Sequence, residues 1–210
     1  MKIITYDKLS EKIDWSKKYN PGWDKPDLFR KIEEKYGLYK GYSGWHSELA
    51  TIDAAFSLVG GNKTFLDLGC GSNSRHDTFD EVSRFREPWL CRALSELGVK
   101  VIGIDIGNLD GEEFEHYSLN LLNENALSFL PDNSIDIAHE FQFFDSPFLH
   151  DMISITDKEL AEKVKNPEIP YWSAGDHSKY CLEITKRVLI PQLQRIVKPD
   201  GYFVTTEVEK

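Results

Sequence analysis

The chain has 210 residues, 40% of them hydrophobic and 12% aromatic, which is enough for one sizeable core. Its formal net charge of -10, with Lys and Arg scattered along the chain, disfavours a nucleic-acid substrate, because a phosphate backbone would be repelled. No apolar run is long enough to span a membrane, the N-terminus does not resemble an export signal, and the three cysteines lie far apart without a CxxC pair. These features argue against a membrane partner, a disulfide framework and a metal site, and they predict a cytoplasmic protein.

Residues 1–60 differ in pattern from the rest and are predicted to form an N-terminal helical extension or lid. Apolar residues at helical spacing indicate one helix before Gly37 and a second over about 46–59. The connector between them carries a polar-aromatic group: Tyr39, Tyr42, Trp45 and His46. Two interpretations stay open for this group, either packing of the helices onto the main domain or closure over a bound ligand.

From residue 61 onward, short buried strands alternate with helices. Strands are predicted over 64–68, 99–105, 115–119, 134–139 and 201–206. Helices are predicted over 88–97 and over 181–197, the second bent at Pro191. This alternation predicts an α/β domain over 61–210, with a Rossmann-like, mostly parallel sheet and helices on both faces.

The most informative segment is the run from Phe65 to Asn73, in which a strand leads into a Gly-Cys-Gly turn. Glycines are needed there because backbone must approach a ligand without Cβ atoms in the way. Asp67, at the end of the strand, suits a cationic ligand group and would repel a pyrophosphate. The third glycine of the dinucleotide fingerprint is absent, since position 74 is Ser. Asp105 ends the next strand, where a carboxylate can accept both hydroxyls of a ribose.

Two of these segments, Asp67-Leu-Gly-Cys-Gly71 and Val101-Ile-Gly-Ile-Asp105, resemble motifs I and II of class I S-adenosylmethionine-dependent methyltransferases. The run Pro131-Asp-Asn-Ser-Ile-Asp-Ile-Ala138 is similar to the start of that family's fourth strand. Residues 193–203 are similar to the helix and loop before its fifth strand. The four segments follow the family's order over about residues 62–207. The resemblance implies a Rossmann-like methyltransferase fold with S-adenosylmethionine as cofactor.

The resemblance also assigns residues to the methionine and ribose parts of the cofactor. Asp67, Gly69 and Gly71 would line the methionine end. Cys70 belongs to the same cofactor-binding loop and is most simply a small buried residue of it. Asp105 would hold the ribose.

Four further residues would complete the cofactor site by the same resemblance. Ile106 would lie beside the adenine, and Leu121 would lend backbone contacts. Asn120 stands where the family often has an acidic residue near the adenine amino group, so this chain departs from the pattern there. His139, at the end of the fourth strand, would face the methyl side. No catalytic residue is indicated.

Three other departures concern length. Residues 72–87 and about 150–180 are longer than the family pattern requires, and they are expected to shape the pocket or to form surface excursions. The chain also stops soon after the fifth predicted strand, without the family's C-terminal antiparallel hairpin. The fifth strand would then be an exposed edge, which a homodimer or a covering N-terminal segment would protect.

The predicted function is methyl transfer to a small-molecule or protein side-chain acceptor. The motifs of exocyclic-amine and cytosine C5 methylation are absent. One alternative is a non-catalytic or incomplete S-adenosylmethionine-binding protein, because a fold does not fix a function. Another is a nicotinamide-dependent oxidoreductase, against which Asp67 and the missing third glycine both count.

Overall fold

The computed structural model describes residues 1–11, 34–35, 55, 63–72, 87–140 and 175–206. Within them lie six strands: β1 (Lys2–Thr5), β2 (Thr64–Leu68), β3 (Lys100–Asp105), β4 (Glu115–Ser118), β5 (Ile135–Glu140) and β6 (Val197–Thr205). The helices that accompany them are α1 (Tyr6–Ser10), α2 (Trp89–Glu96) and α3 (Gly175–Ile196). The strands form one sheet in the order β1-β6-β5-β2-β3-β4, and every neighbouring pair is parallel. The predicted α/β, Rossmann-like fold is confirmed.

The middle of the sheet contains the point at which the chain reverses its direction of travel. From β2 the chain passes through α2 to β3 and then β4, and it returns to the other side of β2 as β5. In open α/β sheets, ligands bind outside the carboxyl ends of the strands at such a switch point. The crevice to inspect therefore lies at the carboxyl ends of β2, β3 and β5.

Both faces of the sheet are covered by helices, because the side chains of β2 point alternately to the two faces and are buried on both. Phe65 packs into one apolar cluster with Leu9 of α1 and Leu90 of α2. Leu66 packs into the opposite cluster with Leu193 of α3. Because successive side chains of a strand point to opposite faces, one buried strand supplies both cores.

The first residues of the chain form a strand of the main sheet, whereas the sequence had placed them in a helical extension. β1 pairs with β6 from Lys2 opposite Tyr202 to Thr5 opposite Thr205. The β-branched run Ile3-Ile4-Thr5 explains this preference. This strand covers the edge of β6, which is one of the two remedies expected for that edge.

The rest of the predicted extension, including Tyr39, Tyr42, Trp45 and His46, lies outside the described residues, apart from 34–35 and 55. The domain boundary near residue 60 therefore stays a prediction. The 72–87 and 150–180 inserts also lie outside the described residues, apart from 72, 87 and 175–180, where α3 begins. Among the described helices, none has the length and apolarity needed to cross a membrane.

The end of the chain differs from the prediction at the junction of α3 and β6. The helix continues through Pro191 to Ile196, and β6 begins at once with Val197, where a loop was predicted after the helix. The ladder is irregular there: Ile135 pairs with Val197 and Ile137 already pairs with Tyr202. The predicted Lys-Pro-Asp-Gly loop is thus retained as a bulge within β6.

The packing of α1 can be tested by truncating its one buried apolar side chain. Leu9 is fully buried in the core, and we expect Leu9→Ala to lower the free energy of unfolding by about 2–5 kcal/mol. Ile3 is 49% exposed, so Ile3→Ala is the matched control and should cost less than about 1 kcal/mol. Urea denaturation followed by circular dichroism measures both. Equal losses in the two variants would contradict the docking of α1 on the sheet.

Candidate functional site

The glycine loop after β2 has the backbone conformation for which its glycines were singled out. Gly69 and Gly71 have φ angles of 71° and 89°, in the left-handed region that favours glycine. The backbone N–H groups of Gly69 and Cys70 both donate to the carbonyl of Ile104, at 2.8 and 3.1 Å. The loop therefore lies against the carboxyl end of β3.

Asp105, the last residue of β3, fastens this loop to the segment that follows its own strand. Its Oδ2 accepts from the Gly71 N–H at 3.0 Å, and its Oδ1 accepts from the Gly107 N–H at 2.8 Å. Burial raises the pKa of this carboxyl above its ordinary value, although these backbone hydrogen bonds act in the opposite direction. Each carboxylate oxygen can accept two hydrogen bonds, so Asp105 keeps acceptor capacity for ligand hydroxyls.

The residues predicted to surround the adenine differ in exposure. Ile106 follows Asp105 directly and is 53% exposed, so it offers an apolar surface beside the carboxylate. Leu121 is buried in the core, so the backbone contact predicted for it stays a prediction. The side-chain oxygen of Asn120 accepts from the Leu122 N–H at 2.9 Å and so caps its own turn.

Asp67 lies beneath the glycine loop and has little access to solvent. It is 4% exposed, and both of its carboxylate oxygens have protein partners. Oδ1 lies 2.6 Å from Nδ1 of His139, and Oδ2 accepts from the Cys91 thiol at 3.3 Å. The side chain is thus directed into the protein, whereas its position before the loop had suggested that it points into the cleft. Its role in cofactor binding stays a prediction, and any contribution from this position acts through the loop above it.

His139 occupies the end of β5, in register with Asp67 on β2. It is 1% exposed, and its ring packs near Phe65, with the ring centroids 5.5 Å apart. Its Nε2 is hydrogen-bonded to the hydroxyl of Tyr6, the residue that follows β1. Three side chains from distant parts of the sequence therefore form one hydrogen-bonded chain, Tyr6–His139–Asp67.

Sequence reasoning missed Tyr6. The signal was the β-branched run Ile3-Ile4-Thr5, followed at once by an aromatic residue. A parallel strand at the sheet edge ends on the same side as β2 and β5, so the residue after it is brought to the candidate site.

Two buried thiols fill the space below the loop, around Gly103 of β3. A Cβ atom at Gly103 would lie 2.6 Å from the Phe114 ring, 3.0 Å from the Cys70 sulfur and 3.2 Å from the Cys91 sulfur. Burial raises the pKa of both thiols, so Cys91 keeps its proton and serves as the hydrogen-bond donor to Asp67. Cys70 matches its interpretation as a small buried residue of the loop.

The other polar residue at the end of β5 is held by the neighbouring strand. Glu140 is fully buried. Its Oε1 accepts from the hydroxyl of Thr205 at 2.5 Å and from the backbone N–H of Thr206 at 2.7 Å. These contacts fix the carboxyl ends of β5 and β6 side by side.

Arg92 of α2 holds together the segments that border the site. Its guanidinium makes two hydrogen bonds to Glu112, at 2.5 and 2.8 Å, and a third to Glu87 at 2.6 Å. Its side chain is only 8% exposed and that of Glu112 only 4%. Glu112 belongs to the segment that begins with Asp105 and Ile106, so this buried pair anchors that segment to α2.

The chain matches no protein-family model, no curated protein and no solved structure. In the part of the chain that the structure describes, no three His, Cys, Asp or Glu side chains are grouped to hold a metal ion. The side chains at the carboxyl edge of the sheet are therefore the basis for inferring a function.

The importance of the Arg92 pair can be measured by removing its charge. We expect Arg92→Met to lower the free energy of unfolding by about 3–5 kcal/mol, because the buried Glu112 loses the positive charge and the two hydrogen bonds that Arg92 supplies. Lys35→Met is the control: Lys35 also contacts two glutamates, but its side chain is 41% exposed, and its loss should cost less than about 1 kcal/mol. Thermal denaturation compares the two, and a small effect of Arg92→Met would refute the anchoring role.

Proposed function

We propose that this protein binds S-adenosylmethionine and transfers its methyl group to a small-molecule or protein side-chain acceptor. The observation that carries the proposal is the junction of the glycine loop with Asp105. One carboxylate accepts from Gly71 of the loop, and the exposed Ile106 lies next to it. This junction lies at the switch point of a parallel sheet, where nucleosides bind in open α/β folds.

The residues present fit the parts of the proposed cofactor. Ribose hydroxyls would donate to Asp105, the adenine would lie against Ile106, and the methionine part would follow the backbone of Gly69 and Gly71. S-adenosylmethionine would supply a methyl carbon that its sulfonium already activates. The protein's main tasks are then to align the acceptor with that carbon and to exclude water.

The charge below the loop favours a cationic ligand over a pyrophosphate. Burial is the main cause of the raised pKa values of Cys70 and Asp105, and the negative charge of Asp67 contributes to both, so its field reaches the loop and the Asp105 carboxylate. A sulfonium or ammonium is stabilised by such a field, and a pyrophosphate is repelled. This supports S-adenosylmethionine over the alternative of a nicotinamide dinucleotide.

The first test is calorimetric titration with S-adenosylhomocysteine, with NAD as the comparison ligand. We expect saturable binding of S-adenosylhomocysteine alone. Asp105→Ala should weaken that binding by about 1–3 kcal/mol, because the ribose hydroxyls lose their acceptor. Asp110→Ala, an exposed carboxylate in the same segment, should leave the affinity unchanged. Binding of NAD instead would favour the oxidoreductase.

If S-adenosylhomocysteine binds but no acceptor is methylated over a broad panel, the alternative of a non-catalytic binding protein is favoured. If neither ligand binds and the purified protein is folded, the cofactor proposal fails.

Acidification should weaken binding through Asp105. Only the ionised carboxylate accepts from both ribose hydroxyls, and burial has raised its pKa above the ordinary 3.8. As pH falls through that raised pKa, Asp105 takes up a proton, so affinity should begin to fall at a higher pH than for an ordinary aspartate. Titrations at decreasing pH measure this, with Asp105→Asn as the control that should lack this component. The same decline in that variant would assign it to another group.

A further inference from the structure

We propose that Tyr6 is the general base of this site, with its hydroxyl activated by His139 and Asp67. The proposal rests on the methyl transfer proposed above and narrows its acceptor. The nucleophilic atom of that acceptor carries a proton at neutral pH, as in a hydroxyl or an ammonium group. A thioether or a tertiary amine, which has no proton to lose, is not the substrate class of such a site.

Asp67 lies at the buried end of this chain of side chains, and both of its oxygens have hydrogen-bond partners. Oδ2 accepts from the Cys91 thiol, and Oδ1 lies 2.6 Å from Nδ1 of His139. A hydrogen bond between Oδ1 and Nδ1 needs one proton, and a carboxylate can only accept. In the proposed arrangement that proton is on Nδ1 of His139 and Asp67 is the carboxylate, as when a buried carboxylate orients a catalytic imidazole.

With its proton on Nδ1, a neutral imidazole presents a lone pair at Nε2. The partner at Nε2 is the Tyr6 hydroxyl, which then donates. The Tyr6 hydroxyl is thus hydrogen-bonded to a basic nitrogen of His139, and the other nitrogen of that ring contacts the Asp67 carboxylate. His139 is 1% exposed, whereas Tyr6 is only partly buried, so Tyr6 is the member of the chain that a substrate can reach.

The position of Tyr6 agrees with this role. It follows the last residue of β1, which is in register with Thr205 of β6, and it reaches across β6 to the end of β5. Its ring lies 5.6 Å from the His139 ring, centroid to centroid. The hydroxyl therefore lies at the carboxyl edge of the sheet, beside the end of β5 and on the side from which β1 and β6 approach it.

The step balances without any further reactant. The acceptor's lone pair forms a bond to the methyl carbon, and the bond from that carbon to sulfur breaks with its electron pair remaining on sulfur. The acceptor's proton passes to the Tyr6 oxygen as the phenol's own proton passes to Nε2 of His139. The resulting imidazolium is stabilised by Asp67. The site resets when the Tyr6 hydroxyl releases its proton to solvent and takes back the proton on Nε2 of His139.

The proton arrangement can be tested without knowing the acceptor. Two-bond ¹H–¹⁵N correlation spectra of the full-length protein at neutral pH distinguish the two imidazole tautomers, and His139→Gln assigns the signal. We expect a neutral ring with its proton on Nδ1, and an Nε2 shift that changes in Tyr6→Phe. Tyr117→Phe is the matched control, because it also removes one phenol hydrogen bond, of 2.9 Å to Glu115, elsewhere in the sheet. An Nε2–H tautomer or an imidazolium would overturn the proposal.

The catalytic consequence is measured separately. The protein is incubated with S-adenosylmethionine that carries a labelled methyl group and with a panel of alcohols, phenols, primary amines, thioethers and tertiary amines. For a protonated acceptor, Tyr6→Phe should reduce transfer about 100- to 10,000-fold. S-adenosylhomocysteine affinity should stay unchanged, and Tyr117→Phe should behave as the wild type.

The two proposals fail in different ways. Loss of S-adenosylhomocysteine binding in the wild type sinks the proposed function. Unchanged binding with full transfer by Tyr6→Phe, or transfer to thioethers and tertiary amines alone, sinks the role of Tyr6 and leaves the methyltransferase standing. If no panel compound is methylated, the tautomer measurement decides on its own.

Discussion

A carboxylate and an imidazole, buried side by side on neighbouring strands, organise the carboxyl edge of this sheet. Asp67 lies 2.6 Å from Nδ1 of His139 and accepts from the Cys91 thiol, and these hydrogen bonds offset the cost of removing its polar group from water. The pair joins β2 to β5 at the switch point, two residues before the glycine loop begins. The second nitrogen of His139 then binds Tyr6, which draws the N-terminal segment onto the same edge. The loop, the end of β5 and the first helix thus depend on one buried contact.

The parts of this fold that sequence predicted are those encoded locally. The glycine turn after β2, the helix predicted over 88–97 and the alternation of strands with helices all follow from residue type and short-range period. β1 was missed because four residues are too few to show a period, and its partners lie at the other end of the chain. The contact between Tyr6 and His139 joins residues 133 positions apart, so no local pattern encodes it. The early start of β6 depends on a bulge opposite Asp136, which is likewise a property of the pairing.

Two aspartates that sequence had placed in one ligand-binding set have different environments. Asp105 ends its strand and reaches the partly exposed surface beside Ile106, so it can meet a ligand. Asp67 shares the face of β2 that carries Phe65, and that face is buried under the helices. Residues two apart in a strand lie on the same face, so the sequence already places Asp67 on the face of Phe65. Its position before the glycines predicts a side chain in the cleft, but closeness to the loop along the chain does not decide which face of the strand the side chain occupies.

The direction of the strand that covers β6 has a consequence for the site. An antiparallel strand at this edge would end at the amino side of the sheet, far from the switch point. A parallel strand must end at the carboxyl side, together with β2 and β5, so the residue after it arrives where ligands bind. The pairing of β1 with β6 therefore both protects the edge of the sheet and brings Tyr6 to the site. Tyr6 reaches the site only when β1 is paired with β6. The site is therefore complete only after the N-terminal segment has folded onto the sheet.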